Sequence, residues 1–156
     1  MSSEASSARI WISVIVALTL TVLPLPTYLD IARPSFLVIT VLFFSVASPW
    51  AGGIGLGWFS GLLLDVFQGP VLGEHALVLA AVTYVTAREH QRIRSKPMFQ
   101  QSLIVLALLA AYEGLVFIVD GYTGHPLTSP LRWVHCLTGA LIWAPTSAIL
   151  AAGRRS

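Results

Sequence analysis

The chain has 156 residues, of which 56% are hydrophobic and only 10% are charged. Soluble domains carry about 25% charged residues, so this chain has too little polar surface to coat a water-soluble globule. The composition argues against a soluble enzyme and predicts a single all-α, polytopic integral membrane domain. The nine Lys and Arg residues give a net charge of +2. They lie in short clusters between apolar runs, which disfavours nucleic acid as a partner.

Six apolar runs predict six transmembrane helices, because a backbone surrounded by lipid must satisfy its own hydrogen bonds. After the first run, a Pro-Leu-Pro exit without a small-residue cleavage site favours an uncleaved helix over a signal peptide. Arg33 and Pro34 open the second run, where a proline is tolerated. The predicted spans are residues 10–29, 34–50, 51–68, 71–87, 98–119 and 131–152. Some are shorter than the roughly 20 residues that cross a bilayer, so local thinning or burial between neighbours is expected.

The basic residues predict the orientation of these helices. With both termini in the cytoplasm, only Arg33 and Arg132 fall on the outer side. The inner set is Arg9, Arg88, Arg92, Arg94, Lys96, Arg154 and Arg155. Removing one span would separate the central basic segment from the C-terminal pair, so the pattern supports six spans independently of hydropathy. Residues 88–97 are expected to anchor this topology, with docking of a cytoplasmic partner or of anionic lipid as the alternative.

A stripe of small residues marks the third predicted span. Positions at every fourth residue are Gly53, Gly57, Gly61 and Asp65, and the spacing continues at Gly69 and Gly73. Small residues at this spacing lie near one face of a helix and let a second helix approach closely. Packing inside the subunit is the first expectation for the glycines, and contact with a partner is the alternative.

Asp65 is the ionisable member of this stripe. A carboxyl group in the middle of a bilayer costs about 2.5–3.5 kcal/mol on insertion scales, so it is usually retained for a bonding partner. Two structural roles are open: capping of backbone amides in the turn that follows, or pairing with Arg33 or Arg132 from the outer side. Direct contact with a protein partner or a ligand is the third alternative.

Glu113 lies in the middle of the fifth span. Lipid disfavours the charged form of a carboxyl group, so we expect a hydrogen bond to another helix. A proton relay is the less favoured alternative, because the sequence shows no second carboxyl or basic residue at helical spacing.

The other ionisable residues predict no catalytic, cofactor or metal site. Asp30, Glu74 and Asp120 fall at the outer face, and the carboxyl groups as a whole are scattered along the chain rather than clustered. His135 and Cys136 are adjacent, but two donors are too few for a metal site, and a structural role is expected for both.

The run from Gly57 to Leu77, GWFSGLLLDVFQGPVLGEHAL, closely resembles the signature of MreD, a family of bacterial rod shape-determining membrane proteins. Trp143, Pro145, the six-span layout and the short basic tail are also similar to that family, so the resemblance covers nearly the whole chain. The motif residues for which it implies a structural or partner-binding role are Arg33, Pro34, Gly57, Gly61, Asp65, Gly69 and Gly73.

The resemblance implies a non-enzymatic scaffold of the cell-elongation complex in the bacterial cytoplasmic (inner) membrane. Such a scaffold is required for rod shape and lateral peptidoglycan synthesis through binding of the bitopic protein MreC. Its indirect partners are MreB, RodA and a class B penicillin-binding protein. No cofactor is implied.

A second function follows from the same resemblance. The MreD family is similar in fold to the substrate-binding subunits of energy-coupling-factor transporters, whose six helices surround an outward-facing pocket. A vitamin-binding subunit is therefore the rival expectation. Those subunits carry an Ala-x-x-x-Ala stripe on their first helix, whereas this chain has Ser13, Ala17 and Thr21 there. This departure disfavours the rival.

Overall fold

The structure is a computed structural model that describes residues 2–68, 71–124 and 130–155. These residues form eight α-helices and one 3-10 turn, which confirms the all-α class. The helices are α1 (Ser2–Val22), α2 (Thr27–Asp30), α3 (Phe36–Ala47), α4 (Ile54–Gln68), α5 (Glu74–Arg88), α6 (His90–Arg94), α7 (Met98–Thr123) and α8 (Val134–Arg155), with the 3-10 turn Pro130–Trp133 before α8.

Helix α3 lies at the centre of the bundle. Every residue from Leu37 to Val46 is buried, and α1, α5 and α8 pack around this helix. Its 12 residues extend about 18 Å at 1.5 Å per residue, well short of a hydrocarbon core of about 30 Å. A helix that is apolar on all sides is stable when other helices surround it. Helix α3 is therefore buried between neighbouring helices, which is one of the two arrangements expected for a short second span.

Side-chain contacts define two opposite ends of the bundle. At the basic end, Arg9 of α1 donates a hydrogen bond to the carbonyl oxygen of Gly153 of α8, at 3.2 Å. At the outer end, Gln68 of α4 donates to the carbonyl oxygen of Thr21 of α1, also at 3.2 Å. The Thr21 hydroxyl oxygen accepts from the backbone N–H of Leu37, at the start of α3. These contacts place the start of α1 and the end of α8 at one end of the bundle, and the ends of α1 and α4 with the start of α3 at the other. Helices α1, α3 and α4 therefore alternate in direction.

Some helix ends differ from the limits of the predicted spans. Helix α1 ends at Val22, before the Pro-Leu-Pro sequence, and the short helix α2 occupies the rest of the predicted first span. Helix α4 begins at Ile54, so Gly53 lies in the preceding turn and not on the helix as predicted. Helix α7 continues to Thr123 and ends at Gly124, whose φ of +74° is the left-handed conformation that ends many helices. Membrane crossing at the predicted limits stays a prediction.

The surface of the bundle is apolar. Two helical segments, Met98–Thr123 and Pro130–Gly153, are long and apolar enough to cross a membrane by length and composition alone. Shorter apolar helices are Ser7–Val22, Phe36–Ala47 and Ile54–Gln68. Large apolar side chains such as Ile12, Leu77 and Leu141 are exposed on the outside of the bundle. A surface of this kind is a liability in water but is suited to contact with lipid.

Candidate functional site

Helices α4 and α5 pack closely because glycines lie where the two backbones meet. A methyl group added to Gly61 would lie 2.5 Å from the Cα atom of Ala76. A methyl group added to Gly57 would overlap the Thr83 side chain and lie 3.0 Å from the carbonyl oxygen of Leu79. Both glycines are buried. The geometry therefore supports packing inside the subunit for Gly57 and Gly61, because a partner cannot reach either residue.

The carboxylate of Asp65 joins the end of α4 to the start of α5. Its Oδ2 atom accepts hydrogen bonds from the backbone N–H groups of Gly73 and Ala76, at 2.9 and 3.2 Å. Its Oδ1 atom accepts from the backbone N–H of His75 at 3.0 Å and lies 2.8 Å from the Nδ1 atom of the same histidine. The residue is 2% exposed. Asp65 therefore binds the α5 amides that have no acceptor within their own helix.

Gly73 explains why the capping group comes from a different helix. It is the N-cap residue of α5 and has a φ of +97°, a conformation that residues with a side chain rarely adopt. An N-cap side chain normally accepts from the second and third amides of the helix. Gly73 has none, so Asp65 supplies that acceptor from α4. Gly69 lies outside the described residues.

One of the two structural roles expected for Asp65 is therefore observed, with a correction. It caps backbone amides, but these amides belong to the first turn of α5 and not to the turn directly after Asp65. Pairing with Arg33 or Arg132 is wrong, because both arginines bind other groups in the described part of the chain. A carboxylate at the end of α4 is unfavourable for the dipole of α4, and the positive end of the α5 dipole compensates for this.

A second set of buried charges joins α7 to the 3-10 turn before α8. The Nε atom of Arg132 donates to Oε2 of Glu113 at 2.5 Å, and its Nη1 atom donates to Oδ2 of Asp120 at 2.9 Å. Both carboxyl residues are buried. They lie seven positions apart, about two helical turns, and so share one face of α7. One guanidinium group therefore binds two carboxylates, and its single positive charge balances one of their two negative charges.

This arrangement corrects several expectations. The bond to another element that we expected for Glu113 is present, but a second carboxyl at helical spacing also exists, namely Asp120. Asp120 is buried within α7 rather than placed in an outer loop, because α7 extends to Thr123. The spacing of Glu113 and Asp120 is a signal in the sequence that could have predicted their shared face. No signal in the sequence predicts that Arg132 contacts these two carboxylates, because the contact depends on how α7 and α8 pack.

Glu74 and His75 lie between the two sets. Glu74 is buried beside the carboxyl group of Asp120, and within the described ranges no nitrogen donor binds its carboxyl oxygens. The ring of His75 lies 6.3 Å from the ring of Tyr112, the residue before Glu113. We name the whole set the outer polar network: Asp65, Glu74, His75, Glu113, Asp120 and Arg132. The carboxyl groups that are scattered in the sequence are thus brought together at one end of the bundle.

Arg33 caps the C-terminus of α1 from the connection between α2 and α3. Its guanidinium group donates to the carbonyl oxygen of Leu23 at 2.6 Å and also to that of Leu20. The last carbonyl groups of a helix have no partner within the helix, so a cation is stabilising there. The Nδ1–H group of His135 donates to the carbonyl oxygen of Arg33. Pro34 precedes α3, which begins only at Phe36.

A cavity of about 420 Å³ opens beside the outer polar network. Its lining includes Thr21, Leu64, Tyr112, Glu113 and Arg132, from α1, α4, α7 and the 3-10 turn. The charges of Glu113 and Arg132 bind each other, and the rest of the lining combines aliphatic and hydroxyl side chains with Asp30, Gln68, His75 and His135. It is the outward-facing space in the orientation that the basic residues predict.

Three of the four carboxyl groups of the network hold helices together. Those of Asp65, Glu113 and Asp120 are each bound by donors and are not poised to take a proton from a substrate. The fourth, Glu74, has no nitrogen donor within the described ranges and is 4% exposed. Among the residues that the structure describes, no group of three or more His, Cys, Asp or Glu side chains has the arrangement of a metal site. Cys136 is a buried free thiol.

The family model of the rod shape-determining protein MreD matches residues 5–151. The chain belongs to the MreD family. The rod shape-determining protein MreD of Haemophilus influenzae is 31% identical over 106 residues, which are 68% of this chain and 65% of that relative. The match therefore spans a little less than two thirds of the relative's length. No solved structure matches the chain significantly.

Membership in the MreD family confirms the resemblance seen in the sequence. It places the chain in a family of membrane proteins described as rod shape-determining. In this MreD-family chain, the most specific part of the motif, Gly57, Gly61, Asp65 and Gly73, forms the α4–α5 junction inside the subunit.

Proposed function

We propose that this chain is a non-enzymatic membrane scaffold of the bacterial cell-elongation complex, required for rod shape and lateral peptidoglycan synthesis through binding of MreC. The match to the MreD family over residues 5–151 carries the proposal. In this proposal the chain crosses the cytoplasmic membrane six times with both termini in the cytoplasm. MreB, RodA and a class B penicillin-binding protein are its indirect partners.

The outer polar network supports a scaffold role because it fixes helices relative to one another. Asp65 joins α4 to α5, and Arg132 joins α7 to the start of α8. Buried, bonded charges of this kind are strongly destabilising when one partner is removed. A bundle held in this way keeps its exposed surface in one arrangement, which a scaffold needs in order to bind its partners.

Partner contact is expected on the lipid-facing surface. The glycine stripe is buried between α4 and α5, so it does not offer a docking face. Helix α1 exposes Ile12, Ile15 and Val16 on one side. Between helices in lipid, association depends on van der Waals packing and interhelical hydrogen bonds. An exposed aliphatic face is therefore a suitable surface for the single transmembrane helix of a bitopic partner.

The experiment is affinity purification of the tagged protein from its native membrane in mild detergent, with mass spectrometry of the proteins that co-purify. Recovery of MreC together with wall synthases is the expected result. Recovery of ATP-hydrolysing subunits with a coupling protein would overturn the proposal. Ile12→Trp should lower MreC recovery if α1 is the contact, whereas Leu77→Trp changes an equally exposed residue of α5 and serves as the matched control.

A vitamin-binding transporter subunit is the second candidate, and the outer cavity is the observation that favours it. A volume of about 420 Å³ falls within the range of about 300–1,000 Å³ typical of small-molecule sites. Against it, the charges of Glu113 and Arg132 are already paired with each other. Native mass spectrometry of the purified protein distinguishes the candidates, because a transporter subunit should retain a bound small molecule at one copy per chain.

A further inference from the structure

A cleft opens at the basic end of the bundle, opposite the outer polar network. Its volume is about 380 Å³, and it lies between the end of α3, the short helix α6, the start of α7 and the second half of α8. Residues that line it include Phe43, Ala47, Arg94, Trp143 and Ala148. This end also carries the contact between Arg9 and Gly153, so it faces the cytoplasm in the predicted orientation.

The cleft has apolar walls because small and aromatic residues face each other across it. Ala47 of α3 and Ala148 of α8 leave space where larger side chains would close the gap. The inner wall is formed by Trp143, which is 1% exposed and whose ring lies 6.3 Å from that of Phe43.

Two polar residues, Gln101 and Ser147, also line the cleft. The Gln101 amide donates to the carbonyl oxygen of Lys96, and the Ser147 hydroxyl donates to that of Ala144. The remaining surface suits an aliphatic chain.

The mouth of the cleft is cationic. Arg94 lines it and has no carboxylate partner in the described ranges, whereas the nearby Arg92 binds Glu89 at 3.0 Å. The segment from Arg88 to Lys96 holds four basic residues and a single acidic one. An unpaired guanidinium group next to an apolar cleft at a membrane surface is complementary to an amphiphile with an anionic head group.

We propose that this cleft binds one anionic phospholipid of the cytoplasmic leaflet, with an acyl chain between Ala47 and Ala148 and the phosphate at Arg94. The apolar walls and the cationic mouth together favour a lipid over other ligands. A soluble anion would gain nothing from the apolar walls, and a zwitterionic lipid would gain less from the cationic mouth. The basic segment thereby has a binding role in addition to setting the topology.

The charge of the site is tested with the full chain, purified in mild detergent and titrated with phosphatidylglycerol or with phosphatidylcholine of the same acyl chains. Native mass spectrometry counts the bound lipids. We expect tighter binding of phosphatidylglycerol, and about fivefold weaker binding of it after Arg94→Gln, the factor that corresponds to about 1 kcal/mol per basic residue. Arg92→Gln removes the same charge from a side chain that is 83% exposed and outside the cleft, and should change binding little.

The apolar part of the site is tested without a change in charge. Ala148→Phe fills the cleft and should weaken phosphatidylglycerol binding, whereas Ile149→Phe changes the neighbouring residue, which is 72% exposed and lies outside the cleft. All four substitutions are at exposed positions, and thermal denaturation of each variant checks that it is folded. Equal losses in Arg94→Gln and Arg92→Gln would overturn the proposal, as would no loss in Ala148→Phe. Competition by inorganic phosphate would show that a free anion binds instead and would also overturn it.

Discussion

Replacing Asp65 with alanine should destabilise the bundle at the α4–α5 junction. The substitution removes the acceptor of three backbone N–H groups, those of Gly73, His75 and Ala76, and of the His75 ring. A hydrogen bond to a charged group contributes about 1.5–3 kcal/mol, while loss of an ordinary N-cap costs about 0.5–2 kcal/mol. The losses are not additive, so we expect the free energy of unfolding to fall by about 3 kcal/mol.

The measurement is reversible unfolding in mixed micelles, followed by circular dichroism as the fraction of denaturing detergent rises. Asp65→Asn should lie between alanine and wild type, because its one amide oxygen still accepts while its NH₂ group faces other donors. Asp30→Ala is the matched control, since its carboxylate is 59% exposed and lies 3.4 Å from Arg33. Its effect should stay within about 0.5 kcal/mol.

One outcome would refute this reasoning about Asp65. If Asp65→Ala unfolds at the same detergent fraction as the wild-type chain but no longer recovers MreC from membranes, then the carboxylate contacts a partner and does not cap α5. The observed hydrogen bonds predict a loss of stability. Under the proposed function, MreC recovery should fall in parallel with it.

Two further predictions use the same unfolding assay, and a third uses hydrogen exchange. Gly61→Ala should lower the free energy of unfolding by about 1–3 kcal/mol, because its methyl group overlaps the α5 backbone. A methyl group at Gly55 has nothing within 4 Å, so Gly55→Ala should be neutral or slightly stabilising. Equal stabilities of the two variants would contradict close packing. Arg132→Gln should lower the free energy of unfolding by about 3–5 kcal/mol. Adding Glu113→Gln should restore part of this stability, whereas two losses that simply add would contradict the ion pair. Arg33→Gln should increase hydrogen exchange in the last turn of α1, and unchanged exchange would argue against its capping role.

The long helices could be predicted from the sequence because the features that form and end them are local. Apolar runs of sufficient length predict helices in lipid, and the Pro-Leu-Pro sequence after Val22 and the glycine-rich turn before Ile54 interrupt them within the chain itself. The spacing of Gly57 and Gly61 likewise predicts close helix packing from residue size alone.

The polar contacts were harder to predict because they depend on residues that are distant in the sequence. The amides that bind Asp65 were expected in the turn beside it, and the first turn of α5 is within reach only because Gly61 lets the helices approach. In the sequence analysis, Arg132 falls on the outer side because the six-span topology puts it there, as one of two exceptions to the inner location of the basic residues. Its side chain turns inward because α7 extends far enough to bring Asp120 beneath it.

The family motif of this chain is therefore a folding unit, and this changes how its mutants should be interpreted. Gly57 and Gly61 set the distance between α4 and α5, Gly73 turns the first amides of α5 towards α4, and Asp65 accepts their hydrogen bonds. Substitution of any of these residues should lower stability and partner recovery together. A true contact residue should lower recovery alone. Under the proposed function, the contact with MreC should therefore be sought among exposed side chains such as Ile12, whose replacement leaves the α4–α5 junction intact.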